Sequence, residues 1–246
     1  MLLIFIITSF LLSDSLNYYN PLLNKKGLEI NANIKGNLFP SLPSEISPVE
    51  IDLIKSKARE FVPEPVEIDN IIEMETNFGL MKFEIYANIA PKHAYNFKKL
   101  ANSGFYDETI FHRIIPGFMA QGGDILTRDS NKDNDGRGNP GWTVDQEFNN
   151  ISHERGILSM ARSQDVNSAG SQFFICFDNA SHLNNKYTVF GKLVSGYKVL
   201  DKIEKLKSEA NYILDQSIDK VPENSYRDFL EFKSQCRLEY IIITKS

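Results

Sequence analysis

The sequence predicts a mainly β fold, a closed or nearly closed barrel capped by two helices. Short runs rich in β-branched and aromatic residues recur at close spacing, among them "TIFHRII", "GILSMA", "SQFFICF", "YTVFGKLV" and "RLEYIIIT", with turn residues between them. Just two helical patterns of useful length interrupt these runs: "APKHAYNFKKLANSG" and "GYKVLDKIEKLKSEA". A composition of 42% hydrophobic and 24% charged residues over 246 positions is that of a globular chain with one good core plus extensions.

The first element is the apolar run "MLLIFIITSFLL". At about 12 residues it has the length of a signal-peptide core and is too short to cross ~30 Å of hydrocarbon as a helix. Ser13, Asp14 and Ser15 follow, small residues where a signal peptidase could cut, and the first basic residue is Lys25. Residues 1–15 are therefore expected to be a signal peptide or an N-terminal membrane anchor, with the chain exported, periplasmic or tethered outside the cytoplasm. Residues 16–63 read as a linker containing a short helix, for which Ser47 is the N-cap and Pro48 the first helical position. Pro63 and Pro65 break that pattern, so the main domain is placed at residues 64–246.

Within that domain "IIEMETNFGLMKFEIY" alternates apolar and charged positions on both sides of Asn77-Phe78-Gly79, the pattern of a hairpin. The helix that follows opens with Pro91, carries Ala94, Phe97, Leu100 and Ala101 on one stripe, and stops at Gly104. Residues 207–235 are long and charged for a connection and read as a surface loop with a helical turn.

Composition excludes several kinds of function. A formal net charge of −5 with no basic run argues against a nucleic-acid partner, because phosphate binding needs clustered Lys and Arg. Cys176 and Cys236 lie far apart and outside any CxxC pair, so no disulfide framework or zinc knuckle is read; Cys176, inside "FFICF", is expected to be a small buried hydrophobe. Four scattered histidines offer no zinc site, and no GxSxG marks a nucleophile. In "DSNKDNDGRGN" Asn131, Asp133, Asp135 and Gly136 have ligand-like spacing for calcium, but the twelfth position counted from Asn131 is Trp142 where a Glu is needed, so the stretch reads as a solvated loop. No metal or cofactor is called for.

The chemistry-bearing stretch is "FHRIIPGFMAQGGD". It predicts a strand, a Pro116-Gly117 turn and a returning strand, which brings Arg113 and Gln121 onto one surface. Strict alternation would point Phe118, Ala120 and Gly122 one way and Met119, Gln121 and Gly123 the other. "GSQFFICF" adds Gln172 and Phe174 on one face of another strand, and "HLNNKYTVFG" adds Leu183 and Tyr187. Together these predict a shallow apolar pocket edged by amides and one guanidinium.

"FHRIIPGFMAQGGD", "GILSMARSQDVNSAGSQFFI" and "KYTVFGKLVSGYKVLDKI", in that order, resemble the cyclophilin family of peptidyl-prolyl cis-trans isomerases, with wording closest to bacterial members. The resemblance runs from about Ile71 to Ile203, with a last strand near Leu238 to Thr244. It implies a closed eight-stranded antiparallel barrel capped by two helices, acting as a monomer on proline-containing polypeptides to assist folding. It implies further that Arg113 is the catalytic arginine, that Phe118, Met119, Phe174 and Leu183 wall the proline pocket, and that Gln121 contacts the substrate backbone. Ala161 would line the groove and Gln172 would neighbour the site, while His112 would be structural. Three positions depart from the eukaryotic cytosolic pattern. His182 stands where that pattern has Trp, whose ring contacts the inhibitor cyclosporin; Tyr187 replaces a pocket-edge His; and Arg162 replaces an Asn that offers contacts along the groove. The alternative is a peptide-binding or scaffolding module on the same fold with little turnover.

Overall fold

The computed structural model describes residues 45–216 and 237–245. The expected signal or anchor, most of the expected linker and most of the 207–235 connection lie outside these residues. Eight strands form one antiparallel sheet: β1 (Asn70–Thr76), β2 (Gly79–Ile85), β3 (Arg113–Ile115), β4 (Met119–Gly122), β5 (Ile157–Met160), β6 (Phe173–Cys176), β7 (Val189–Ser195) and β8 (Leu238–Lys245). Three α-helices accompany it: α1 (Pro48–Glu60), α2 (Pro91–Asn102) and α3 (Tyr197–Gln216). Among the described residues α2 and α3 are the two expected capping helices, and α1 is the short helix expected in the linker.

The strand order is β3-β4-β6-β5-β7-β2-β1-β8, so the curled sheet is open and the expected closed barrel is not formed. The reason lies in "TIFHRII", of which just Arg113–Ile115 joins the ladder as β3. At the seam, Ile110 makes a single bridge to Arg237, supported by Glu108 N donating to Leu238 O at 2.8 Å and Leu238 N donating to Thr109 O at 2.7 Å. Closure would need a full ladder between β3 and β8.

The first hairpin is tighter than its sequence suggested. Thr76 pairs with Gly79, leaving Asn77-Phe78 as a two-residue turn and making Gly79, at φ +125°, the first residue of β2. Thr76 Oγ1 accepts from Phe78 N at 3.1 Å and donates to Gly79 O at 2.9 Å, which holds the turn.

Alternation along each strand sorts side chains into two clusters. The larger one gathers the inward residues with Ala94, Phe97 and Leu100 of α2 and Leu200 and Ile203 of α3. Phe97 sits at its centre, with ring centroids 5.0 Å from Phe190, 5.1 Å from Tyr106 and 5.5 Å from Phe173. Burial of one such ring contributes about 1.5 to 3 kcal/mol. The tyrosine hydroxyl, fully buried, donates to Ser171 O at 3.0 Å, satisfying the one polar atom in this group. α1 joins the same core: Ala58 is 0% exposed, and Ile51 and Ile54 pack beside it. Ser47 Oγ caps α1 by accepting from Glu50 N, and Lys99 Nζ of α2 donates to Arg59 O at 2.9 Å where α1 ends.

Two ties fix the loops around the outer face. The N-terminus of α2 has no cap of its own; Glu147 supplies one from a distance, accepting from Lys92 N and His93 N, with His93 Nδ1 at 2.7 Å from its carboxylate. From α3, Glu204 accepts from Gly117 N at 2.8 Å and so holds the β3–β4 turn.

His153 is fully buried, with Nε2 3.0 Å from Ser159 Oγ and Nδ1 3.1 Å from Asn184 Oδ1. Burial, partly offset by the Asn184 bond and reinforced by His182, pushes its pKa below the ordinary 6.5. His93 and His112 are lowered by burial too, while burial raises Asp107 and Asp135 to about 6. The two groups act in opposite directions. A depressed imidazole contributes stability that is complete above 6.5 and is lost as pH falls from there, because the unfolded chain takes up the proton first. A raised carboxyl contributes stability that is lost as pH rises through about 6. A difference experiment isolates one group: the stability gap between the parent and His153→Gln should narrow as pH falls from about 7.5 to about 5.5. Denaturant midpoints across that range check it, and parallel profiles would contradict it.

Candidate active site

One register row lays out the outer face. Arg113 of β3 pairs with Gln121 of β4, Gln121 with Phe174 of β6, Phe174 with Ser159 of β5, and Ser159 with Val189 of β7. The neighbouring row, Ile114, Ala120, Ile175 and Leu158, belongs to the inner core. A guanidinium, an amide and an aromatic ring thus come to lie side by side because strand side chains repeat every two residues.

The apolar part is the second cluster: Met119, Ile157, Phe174, Cys176, Ala180 and Val189 are buried, with Phe118, Ala161, Leu183 and Tyr187 partly buried against them. Phe118 corrects the expected alternation. It ends the β3–β4 turn instead of entering β4, and so packs with Met119 on the outer face and not with Ala120 in the core. Cys176 is fully buried, and burial pushes its thiol up to about 12, which leaves it an inert apolar group.

The pocket wall is held from behind. His153 stacks on Phe174 at 5.9 Å between centroids, and Tyr187 meets the edge of the same ring at 5.7 Å. A 3-10 turn over Ser181–Leu183 delivers Leu183 to the wall and lays the exposed His182 ring 5.3 Å from Phe118. His153, Ser159 and Asn184 were missed by sequence reasoning. Ser159 alone left a signal, a single hydroxyl inside the apolar "GILSMA" on the face that Phe174 shares.

The polar edge begins at Arg113, which is exposed on an edge strand and is not set within the apolar wall. Its Nη1 donates to Gln121 Oε1 at 3.4 Å, and Gln121 Nε2 donates to Gln172 Oε1 at 2.9 Å. A guanidinium has five N–H donors, so most of Arg113 is available to a ligand. Next to these groups opens a cavity of about 600 Å³ bordered by Gln121, Gly138, Ala161, Arg162 and Gln172.

Arg162 is committed to the protein. Its guanidinium donates to Lys186 O at 2.9 Å, to Ser163 O at 2.8 Å and to Gln164 O at 3.3 Å. It also lies 4.7 Å from the Tyr187 ring centroid and 5.8 Å from that of Phe148. Its evident work is to clamp the loop after β5 to the loop before β7 and to fix the Tyr187 ring. His112 is half-buried beside the glycine loop, and burial lowers its pKa. The structure brings all eleven sequence-predicted residues to one face, with Arg162 bordering the cavity beside Ala161 and Gln172 and His182 lying against Phe118. Among the described residues no group of three or more His, Cys, Asp or Glu is placed to hold a metal ion.

The chain is similar to known proteins. The family model described as "Cyclophilin type peptidyl-prolyl cis-trans isomerase/CLD" matches residues 71–222. A probable peptidyl-prolyl cis-trans isomerase of Brucella abortus is 44% identical over 142 residues, 56% of this chain and 72% of the relative. A peptidyl-prolyl cis-trans isomerase of Acinetobacter baylyi is 38% identical over 159 residues, 63% of this chain and 81% of the relative. Among solved structures, a cyclophilin-type isomerase of Cryptosporidium parvum, determined in the presence of the dipeptide Ala-Pro, superposes with a TM-score of 0.56 at 32% identity, covering 72% of this chain and 99% of that one. With the fold, the groove and these relatives in agreement, the chain belongs to the cyclophilin-type peptidyl-prolyl cis-trans isomerases.

Proposed function

We propose that the groove binds proline-containing segments of polypeptides, with the chain acting as a monomer, and that Arg113 is the group that accelerates rotation about the X-Pro bond. The observation that carries this is the guanidinium itself, which stands beside an apolar pocket and spends one N–H on Gln121. Amide rotation faces a barrier of ~18 to 20 kcal/mol, which makes the uncatalysed exchange take tens of seconds or longer. No covalent bond forms or breaks. In the twisted transition state the prolyl nitrogen becomes pyramidal and regains a lone pair that the planar amide lacked. A donor aimed at that nitrogen binds the transition state better than either ground state, which is the condition for catalysis.

The remaining roles follow from place. Phe118, Met119, Phe174 and Leu183 would hold the proline ring and exclude water. Gln121 would meet the backbone of the residue before proline, so that one end of the bond turns against a fixed other end. Ala161 and Gln172 border the adjoining cavity, where residues further from proline would lie. The Ala-Pro dipeptide named for the Cryptosporidium structure supports this class of substrate. Assistance to protein folding follows, since slow X-Pro isomerisation limits refolding of many chains.

In a protease-free isomerisation assay on a short X-Pro peptide, the full chain should accelerate exchange and Arg113→Ala should lose about 100-fold to 1,000-fold in kcat/KM. If a folded parent binds the peptide without accelerating its exchange, the groove is a recognition site and the scaffolding reading takes over.

The apolar residues 1–12 support export, either to the periplasm or to a membrane tether outside the cytoplasm. No helix among the described residues is long and apolar enough to cross a membrane. Fractionation of cells producing the full chain should recover it with periplasmic or membrane markers, and recovery with cytosolic markers would overturn this placement.

A further inference from the structure

Behind Arg113 runs a line of polar groups whose hydrogen bonds have one possible direction. Asp124 is 0% exposed, and its carboxylate accepts from Leu126 N at 2.8 Å and from Gly136 N at 2.5 Å. Gly136 lies at φ +85°, and Gly138 passes so close that a Cβ there would sit 1.8 Å from Asp124 Oδ1. Both glycine carbonyls accept from Gln172 Nε2, each at 2.9 Å. On the other side Gln172 Oε1 accepts from Gln121 Nε2, and Gln121 Oε1 accepts from Arg113 Nη1.

The shape of an amide does not reveal which end is oxygen; its partners do. Carbonyls can only accept, so the two glycines force Gln172 to present its NH2 group to them. Its oxygen is then left for Gln121, which must present its own NH2 in turn. The oxygen of Gln121 is what remains, and it meets the guanidinium. A long side chain on an exposed edge strand would otherwise sample many rotamers, and a fixed acceptor narrows that choice. Ser171 secures the start of β6 by donating to Gly123 O at 2.7 Å, next to Asp124 in the chain.

We propose that Asp124 and Gln172 are positioning residues for the isomerisation. They hold the Gly136 and Gly138 carbonyls, set the orientation of Gln121 and through it aim the Arg113 guanidinium. The inference rests on the role given to Arg113 above.

The test is Gln172→Glu in the full chain, which keeps the shape and replaces the NH2 group with oxygen. At about pH 7.5 neither oxygen donates, so the glycine carbonyls lose their partner and kcat should fall about 10-fold to 100-fold while KM changes little. Lowering the pH should restore activity relative to the parent, because a protonated Glu again donates to a glycine carbonyl while its other oxygen accepts from Gln121. The variant-to-parent ratio is read at each pH, so that titration of His112 and Asp135 in the parent cancels; Asp124, Arg113, Arg137 and Arg162 are the other charged groups nearby. A purely structural role would not produce this acid rescue. Asp124→Asn offers one acceptor for two N–H groups and should show the same loss in kcat. An active parent with an unaffected Gln172→Glu, or a loss confined to KM, overturns the relay alone. An inactive parent overturns the isomerase reading of the site and the relay with it.

Discussion

The two-residue period of the β-strand is the constraint on which the rest depends. Arg113, Gln121, Phe174, Ser159 and Val189 share one face because each is the registered partner of the next across five strands. The adjacent row builds the core from the same strands. A slip of one residue in any of these pairings would exchange the faces, burying the guanidinium and exposing Ala120 or Ile175. Register is held at the ends of the elements: Glu204 of α3 grips the β3–β4 turn, and Glu147 ties the loop before β5 to the start of α2. Core packing and site geometry are thus one specification, written on alternate residues.

The proposed reaction matches the sparseness of the site. Rotation needs a donor at a nitrogen, an apolar seat for a ring and a grip on one flanking carbonyl. None of these calls for a nucleophile, a proton shuttle or a metal. The buried titratable groups near the groove are those least able to take part: His153 is held toward its neutral form by burial and Cys176 is locked as a thiol. Their contribution is shape, and His153 supplies it directly by lying flat against Phe174.

Much of this was legible in the sequence where local chemistry decides structure. The β3–β4 hairpin, the Ser47 cap and the stripe of α2 follow from turn residues and periodicity that tertiary contacts do not override. What escaped depends on where a strand stops and on bonds to backbone groups. Phe118 was assigned to the wrong face because alternation was extended one residue into the turn. The sheet was expected to close because strand-like runs recur at short spacing, although Ile110 of "TIFHRII" makes a single bridge to Arg237 and only the end of that run joins β4. The one-turn spacing of Ile51, Ile54 and Ala58 marks an apolar stripe on α1, but Pro63 and Pro65 gave no sign that this stripe packs on the main core. Arg162 borders the cavity, but its bonds to the carbonyls of Ser163, Gln164 and Lys186 were not legible, because sequence patterns do not display backbone partners. Asp124 was equally silent, since its partners are the N–H groups of Leu126 and Gly136.

The central claim is that a fixed guanidinium fork acts on the transition state and that positive charge near proline is not enough. Exchange NMR on an X-Pro peptide saturating Arg113→Lys tests it most directly, because it separates the rate of rotation on the protein from affinity. The ammonium keeps the charge but loses the planar fork and is more strongly hydrated. The account predicts a peptide Kd within about 3-fold of the parent value and an on-protein exchange rate lower by about 10-fold or more. An exchange rate equal to that of the parent would contradict it, and would assign the acceleration to the apolar pocket and the charge alone.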